Sequence, residues 1–298
     1  MVYYTIIIPH YNIPHLLKRC LSSIPNREDV QIIVVDDCSS EGVQAELKKM
    51  EMQFHNVQFV YSEKNLGGGH ARNVGLRYAK GKYVLFADAD DFYHDNLNAL
   101  LDDYSNEECD IVFFNADSLD SDTLGPAERD VRLQSSMGDV IKLRYLFTEP
   151  WCKIVKKDLI EKYNIKFDEI LAINDVTFSY MVGYYAKDIK VDKRKAYCVT
   201  YRPDSISFTD SFEKELLRVE VMARKNRFLK DHQIPVFDRH LLWPITDSLK
   251  VGEWRSLQAF FRVTKSYGFS TSCLLFKIVE KSLRCRIRNI RGKYCQGK

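Results

Sequence analysis

The sequence contains no CxxC pair, no HExxH and no apolar run long enough to cross a bilayer. Eight cysteines stand at 20, 38, 109, 152, 198, 273, 285 and 295 without regular spacing, which argues against a disulfide framework and for reduced, cytosolic thiols. "YYTIII" near the start is too short for a span and lacks the cleavage-site pattern of a signal peptide. The turn after it, "PHYNIPH", has no glycine, so the GxGxxG dinucleotide fingerprint is missing. "GLRYAKGKY" spaces its glycines one residue too far for a P-loop and puts Tyr83 where Ser or Thr belongs. A nicotinamide enzyme and a P-loop ATPase are thereby disfavoured. There is also no internal repeat, no low-complexity tract and no base-reading module, so nucleic acid is not an expected partner.

What is present is an alternation of apolar runs and helical periodicities. The chain of 298 residues is 45% hydrophobic, enough for one large domain or two modest ones. "TIIIP" (5–9) and "VQIIVVDD" (30–37) read as strands buried on both faces, with Leu16, Leu17, Cys20, Leu21 and Ile24 at helical spacing between them. The pattern predicts further strands at 57–62, 82–88 and 109–115, and helices near 69–80 and 95–104. This β-α-β-α order predicts an α/β fold with a mostly parallel sheet flanked by helices. Residues 117–137 read as a polar loop. They precede a short strand near 151–155, helices at 157–163 and 174–186, a strand at 196–201 and a helical C-terminal region from 211.

Ligands of such sheets bind beyond the carboxyl ends of the strands, where this chain places "PHYN", "DDCSS" and "DADD". Asp88, Asp90 and Asp91 crowd the mouth of the apolar strand "YVLFA", where like charges repel unless something offsets them. A hard divalent cation, Mg²⁺ or Mn²⁺, would do so and would keep positions open for phosphate oxygens. Upstream, Gly67, Gly68 and Gly69 permit close backbone approach, and Arg72 adds a permanent cation. Asp37 could accept N3–H of uracil or thymine, with Asp36 on the opposite pleat fixing the loop; the pleat alone does not say which of the two faces the ligand.

Together, "TIIIPHYN", "IIVVDDCSS", "NLGGGHARNVGL" and "GKYVLFADADD" resemble family 2 glycosyltransferases of the GT-A fold, closely over residues 3–95 and loosely to about 210. The resemblance implies inverting transfer of a sugar from a nucleotide diphosphate donor, usually a UDP-sugar, with Mn²⁺ or Mg²⁺. Pro9 and Tyr11 would line the nucleotide pocket, Asp37 would read the base, and Arg72 would lie beside base or phosphate. Asp90 would contact the metal, Asp91 would support or share it, and Asp88 would sit near the ribose. It also implies a catalytic domain over 1–210, with donor half 1–105 and acceptor half 106–210, followed by a helical region over 211–298. In "LAINDVTFSYMV", Asp175 falls on the general-base position, although Asn174 replaces the acid that usually precedes it.

Three further assignments accompany this reading. Trp151 in "EPWCKIVKKDLI" would either stack on an acceptor sugar or belong to the core, and Arg202 would approach the diphosphate. Residues 277–298 hold eight Lys or Arg against Glu280, and with the apolar residues from 272 they suit a helix on an anionic membrane surface. The implied acceptor is a glycan or lipid-linked glycan in surface polysaccharide synthesis, with the enzyme cytoplasmic and peripheral on the inner membrane. A sugar nucleotidyltransferase and a non-catalytic nucleotide-sugar-binding subunit are the competing readings.

Overall fold

The computed structural model describes residues 1–127, 133, 136–170, 172–202 and 211–280. The chain forms two compact units, Met1–Thr209 and Asp210–Lys298.

The first unit is built on eight strands: β1 (Tyr4–His10), β2 (Val30–Asp36), β3 (Val57–Tyr61), β4 (Tyr83–Phe86), β5 (Phe92–Tyr93), β6 (Ile111–Asp120), β7 (Lys153–Lys156) and β8 (Ile189–Tyr201). They lie in one sheet in the order β3-β2-β1-β4-β7-β6-β8-β5. The half from β3 to β4 is parallel, whereas β7 runs antiparallel to both β4 and β6, and β5 runs antiparallel to β8. Ile6, Ile7 and Ile8 of β1 are all fully buried, as a run with no polar break requires. Each such side chain contributes about 1.5–3 kcal/mol relative to remaining exposed.

Helices α1 (Pro14–Ser23), α2 (Glu41–Glu51) and α3 (Gly68–Tyr78) follow β1, β2 and β3, and α4 (Asn96–Tyr104) follows β5. Leu16, Leu17, Cys20 and Leu21 are the buried stripe of α1, and Pro14 opens it where no backbone donor is needed. Further along come α5 (Val140–Tyr145), α6 (Lys157–Lys162) and α7 (Val176–Tyr185). Two sequence boundaries change. Residues 117–120 are strand rather than loop, because β6 continues beside β8 as far as the pair Asp120 and Tyr201, after register shifts around Asn115. Strand β8 likewise begins at Ile189, seven residues before the apolar run that signals it. Both extensions are mostly polar, with Leu119, Ile189 and Val191 their apolar residues, so backbone pairing rather than an apolar run marks them.

The second unit holds α8 (Phe212–Asp231), a 3₁₀ turn at Arg239–Leu241, α9 (Leu242–Val251) and α10 (Trp254–Ser266). Ser211 caps α8 by accepting from the Lys214 N–H. Inside this unit Lys225 Nζ donates to Asp238 Oδ2 at 2.6 Å, with side-chain exposures of 0% and 1%. Burial alone would raise the Asp238 carboxyl, but Lys225 and His240 more than offset it and hold it well below the usual carboxylate range. That stabilisation is present above the unfolded carboxylate pKa of about 3.9 and fades only as pH falls toward the lower native value. Lys225→Met strands the Asp238 charge, so chemical denaturation should show a loss of about 3–5 kcal/mol. Recovery of most of it in Lys225→Met/Asp238→Leu would identify the orphaned charge as the cause, and no recovery would assign it to packing.

Candidate functional site

The strand ends of the parallel half are tied into one surface. Asp36 ends β2 and accepts from His10 Nδ1 at 2.8 Å and from Ser39 N and Oγ at 3.0 and 2.5 Å. Because the Ile13 N–H donates to His10 Nε2, the His10 proton sits on Nδ1. Burial pushes the Asp36 carboxyl up, but these donors pull it lower, to a net value below its ordinary range. Asn12 adopts a left-handed conformation, φ 56°, its N–H donating to Ser39 Oγ and its side chain accepting from Ser40 N. The loops after β1 and β2 are therefore a single hydrogen-bonded unit.

Asp37 links that unit to the glycine-rich turn. Its Oδ1 and Oδ2 accept from Leu66 N at 3.0 Å and Gly67 N at 2.6 Å, and the residue is 3% exposed. Gly67 has φ 89°, which admits glycine at little cost, and it hands the chain into α3. Thus the carboxylate expected to read a base has both oxygens engaged by the turn. A Cβ on Gly69 would meet the Asp168 carbonyl and lie 2.9 Å from Asn174 Cβ, so only glycine lets the start of α3 approach the 168–174 segment this closely.

Arg72 of α3 is 7% exposed and bridges two parts of the sequence. Its Nη2 donates to Asp88 Oδ1 at 2.6 Å, its Nη1 donates to Asn174 Oδ1 at 3.0 Å, and its guanidinium lies over Phe167 at 5.4 Å. Asp175, the next residue, is the N-cap of α7 yet makes no capping hydrogen bond with its side chain.

The three crowded acids have three different environments. Asp88 and Asp90 keep side-chain exposures of 33% and 22%, with Arg72 beside the first and Arg202 Nε 3.3 Å from Oδ2 of the second. Asp91 is 3% exposed and accepts from Tyr197 Oη at 2.8 Å and Thr200 N at 2.7 Å. Burial, then the charges of Asp90 and Asp88, push the Asp91 carboxyl well above its usual range. Sequence suggests that Asp91 supports or shares an ion; in the structure both of its carboxylate oxygens accept from β8. Asp88 and Asp90 present the accessible oxygens, and such hard donors fit Mg²⁺ or Mn²⁺ when phosphate oxygens complete the shell.

Several supporting residues escaped sequence reasoning. Arg19 of α1 donates from Nη2 to the Asp90 carbonyl at 2.5 Å and from Nη1 to the Ser121 carbonyl at 2.7 Å. Tyr197 accepts from the Asp88 N–H at 2.9 Å while donating to Asp91. Trp151 is 6% exposed and stacks on Tyr197 with ring centroids 5.6 Å apart, so of its two readings the packing favours the core. Pro9 is half-buried within β1, and Tyr11 is 43% exposed beyond it. Only the nearby "DADD" could have pointed to these partners, because the contacts themselves join residues 71 to 109 positions apart.

Comparison with known proteins accords with this arrangement. The family model described as "Glycosyl transferase family 2" matches residues 5–164. The chain is 29% identical over 194 residues to a poly(ribitol-phosphate) beta-glucosyltransferase of Bacillus spizizenii, covering 63% of this chain and 30% of that protein. It is 26% identical over 273 residues to the poly(ribitol-phosphate) beta-N-acetylglucosaminyltransferase TarS of Staphylococcus aureus, covering 84% of this chain and 47% of TarS. The chain thus spans less than half the length of either curated relative. Among solved structures, S. aureus TarS 1–349 in complex with UDP-GlcNAc superposes with a TM-score of 0.66 at 20% identity, over 89% of this chain and 81% of that one. A Pyrobaculum calidifontis mannosyltransferase in complex with GDP-Man and Mn²⁺ gives 0.55 at 15%, over 94% and 79%. The fold is that of the GT-A glycosyltransferases, and with more than half of its length matched by the family model, the chain belongs to glycosyl transferase family 2.

Proposed function

We propose that this protein is an inverting glycosyltransferase that moves a sugar from a UDP-sugar to a hydroxyl group of a cell-surface polymer. The observation that carries the reading is the Arg72 bridge, which joins Asp88 at 2.6 Å to Asn174 at 3.0 Å, next to Asp175. One fixed cation that holds a donor-binding acid and the residue just before a base candidate suits a displacement at a carbon bonded to a diphosphate. In this reading Tyr11 and Pro9 line the nucleotide pocket, Asp88 serves the ribose, and Arg72 and Arg202 face the diphosphate. Asp90, with Asp88 beside it, would hold Mg²⁺ or Mn²⁺, whose charge would offset that developing on the leaving diphosphate.

Asp175 acts as the general base. The acceptor oxygen attacks the anomeric carbon as the bond to the diphosphate oxygen breaks, and the hydroxyl proton passes to the Asp175 carboxylate. Attack opposite the leaving group inverts the centre. Asn174 is neutral, so it accepts from Arg72 without adding like charge beside the base. The names of the relatives support a ribitol-phosphate or similar wall polymer as acceptor, and the UDP-GlcNAc complex of TarS supports an N-acetylhexosamine or hexose donor.

No helix among the described residues is long and apolar enough to cross a membrane. The basic tail lies outside the described residues from 281 onward, but Leu275, Phe276 and Val279 just before it are 39%, 70% and 56% exposed. Peripheral attachment through this region is the proposed route to a membrane-borne acceptor. Phe276→Ser should reduce co-sedimentation with anionic vesicles while leaving turnover of a soluble acceptor unchanged; unaltered sedimentation counts against this route.

The catalytic reading is tested by incubating the full chain with a panel of nucleotide-sugars, Mn²⁺ and wall-polymer acceptors, following diphosphate release by mass spectrometry. Asp175→Asn should retain UDP affinity and lose about 10²–10⁴-fold in transfer. Weakened UDP binding with transfer intact would remove Asp175 from the base role. Asp90→Asn should abolish the metal dependence of UDP binding, measured by calorimetry, and lower turnover from every donor. Metal-dependent UDP binding without turnover of any donor would instead indicate a nucleotide-sugar-binding subunit.

A further inference from the structure

A second set of potential ligands lies at the far edge of the sheet, apart from Asp88 and Asp90. Cys198 of β8 is the residue that both neighbouring strands meet: Asp117 pairs with it from β6 and Phe92 from β5. His94 follows Phe92 by two positions, which returns its side chain to the same face, and its N–H donates to the Ala196 carbonyl at 3.0 Å. The three side chains therefore converge. His94 Nε2 is 2.7 Å from Asp117 Oδ1, and the imidazole, carboxylate and thiol donor atoms all lie within 4.8 Å of one another.

We infer that His94, Asp117 and Cys198 form a binding site for a Zn²⁺ ion. The donor set selects the metal: a sulfur and an imidazole nitrogen with one carboxylate suit borderline-soft Zn²⁺, whereas Mg²⁺ and Ca²⁺ take oxygen ligands. Tetrahedral Zn²⁺ with bonds of about 2.0–2.3 Å needs ligand atoms about 3.3–3.8 Å apart; the donor atoms lie within 4.8 Å of one another, and the 2.7 Å His94–Asp117 contact would open as the ion enters between them. Loss of the thiol proton to solvent leaves thiolate and carboxylate charges that balance the ion. His94 and Asp117 also line a cavity of about 430 Å³ together with Asp95, Asn96 and Lys195, which gives the ion an entry path and leaves a fourth position for water. Lys195 is exposed, so its ammonium can stay in solvent.

The site has a structural consequence for the donor acids. Strand β5 is two residues long and follows Asp91 directly, so its attachment to β8 sets where residues 88–91 end. An ion held by β6, β8 and the residue after β5 would clamp that short strand in place.

The test uses the full chain stripped with a chelator and titrated with Zn²⁺ against a chromophoric competitor. One equivalent should bind, both in the natural sequence and in Asp90→Asn, which lacks the proposed donor-metal ligand. Co²⁺ substituted for Zn²⁺ should give a thiolate-to-metal charge-transfer band that disappears in Cys198→Ser. His94→Ala, at a half-buried position less prone to unfold the chain, should weaken Zn²⁺ binding by about a hundredfold or more. Equal Zn²⁺ affinity in His94→Ala, no stoichiometric binding, or a charge-transfer band surviving Cys198→Ser in a chain folded by circular dichroism would overturn the assignment. The His94–Asp117 contact would then be a hydrogen-bonded pair and nothing more.

Discussion

Repulsion among three carboxylates at the end of one apolar strand is the constraint around which the first unit is arranged. Asp88, Asp90 and Asp91 cannot share one solution, because burial and mutual charge each penalise the ionised forms. Each receives its own. Arg72 reaches Asp88 from α3, Arg202 approaches Asp90 from the end of β8, and Asp91 is folded inward onto Tyr197 and Thr200. Arg19 adds support from beneath by holding the Asp90 carbonyl. Helix, strand and loop positions are thus coordinated by the need to offset three carboxylates within four consecutive residues.

The same logic organises the neighbouring strand ends. Asp36 and Asp37 stand side by side and are both nearly buried, yet each is surrounded by donors from different loops. His10 and Ser39 hold the first, Leu66 and Gly67 the second. Charge placed at the carboxyl ends of parallel strands acts here as a set of ties between loops. Asp88, Asp90, Arg202 and Tyr11 by contrast stay partly exposed.

The parallel half of the sheet was legible because its strands are buried on both faces and read as unbroken apolar runs. Gly67, Arg72 and the acids of 88–91 were legible because their side-chain chemistry is rare next to such runs. Other features left no local trace. The polar continuation of β6 through Asp120 is held by backbone pairing, and β5 is too short to show any period. Helix α2 was missed because only Leu47 and Met50 of its residues are buried, too few to display a stripe. The roles of Asp37 and Asp91 depend on partners about 30 and more than 100 positions away, beyond the reach of motif reading.

The Arg72–Asn174 hydrogen bond joins residues 102 positions apart within the first unit. Its chemistry is matched: one arm of the guanidinium meets the Asp88 carboxylate and the other a neutral amide. A carboxylate at position 174 would instead contend with Asp88 for one cation. The neutrality of Asn174 therefore leaves Arg72 a single full charge to balance between these two partners, so two distant segments are tied together without a second acid.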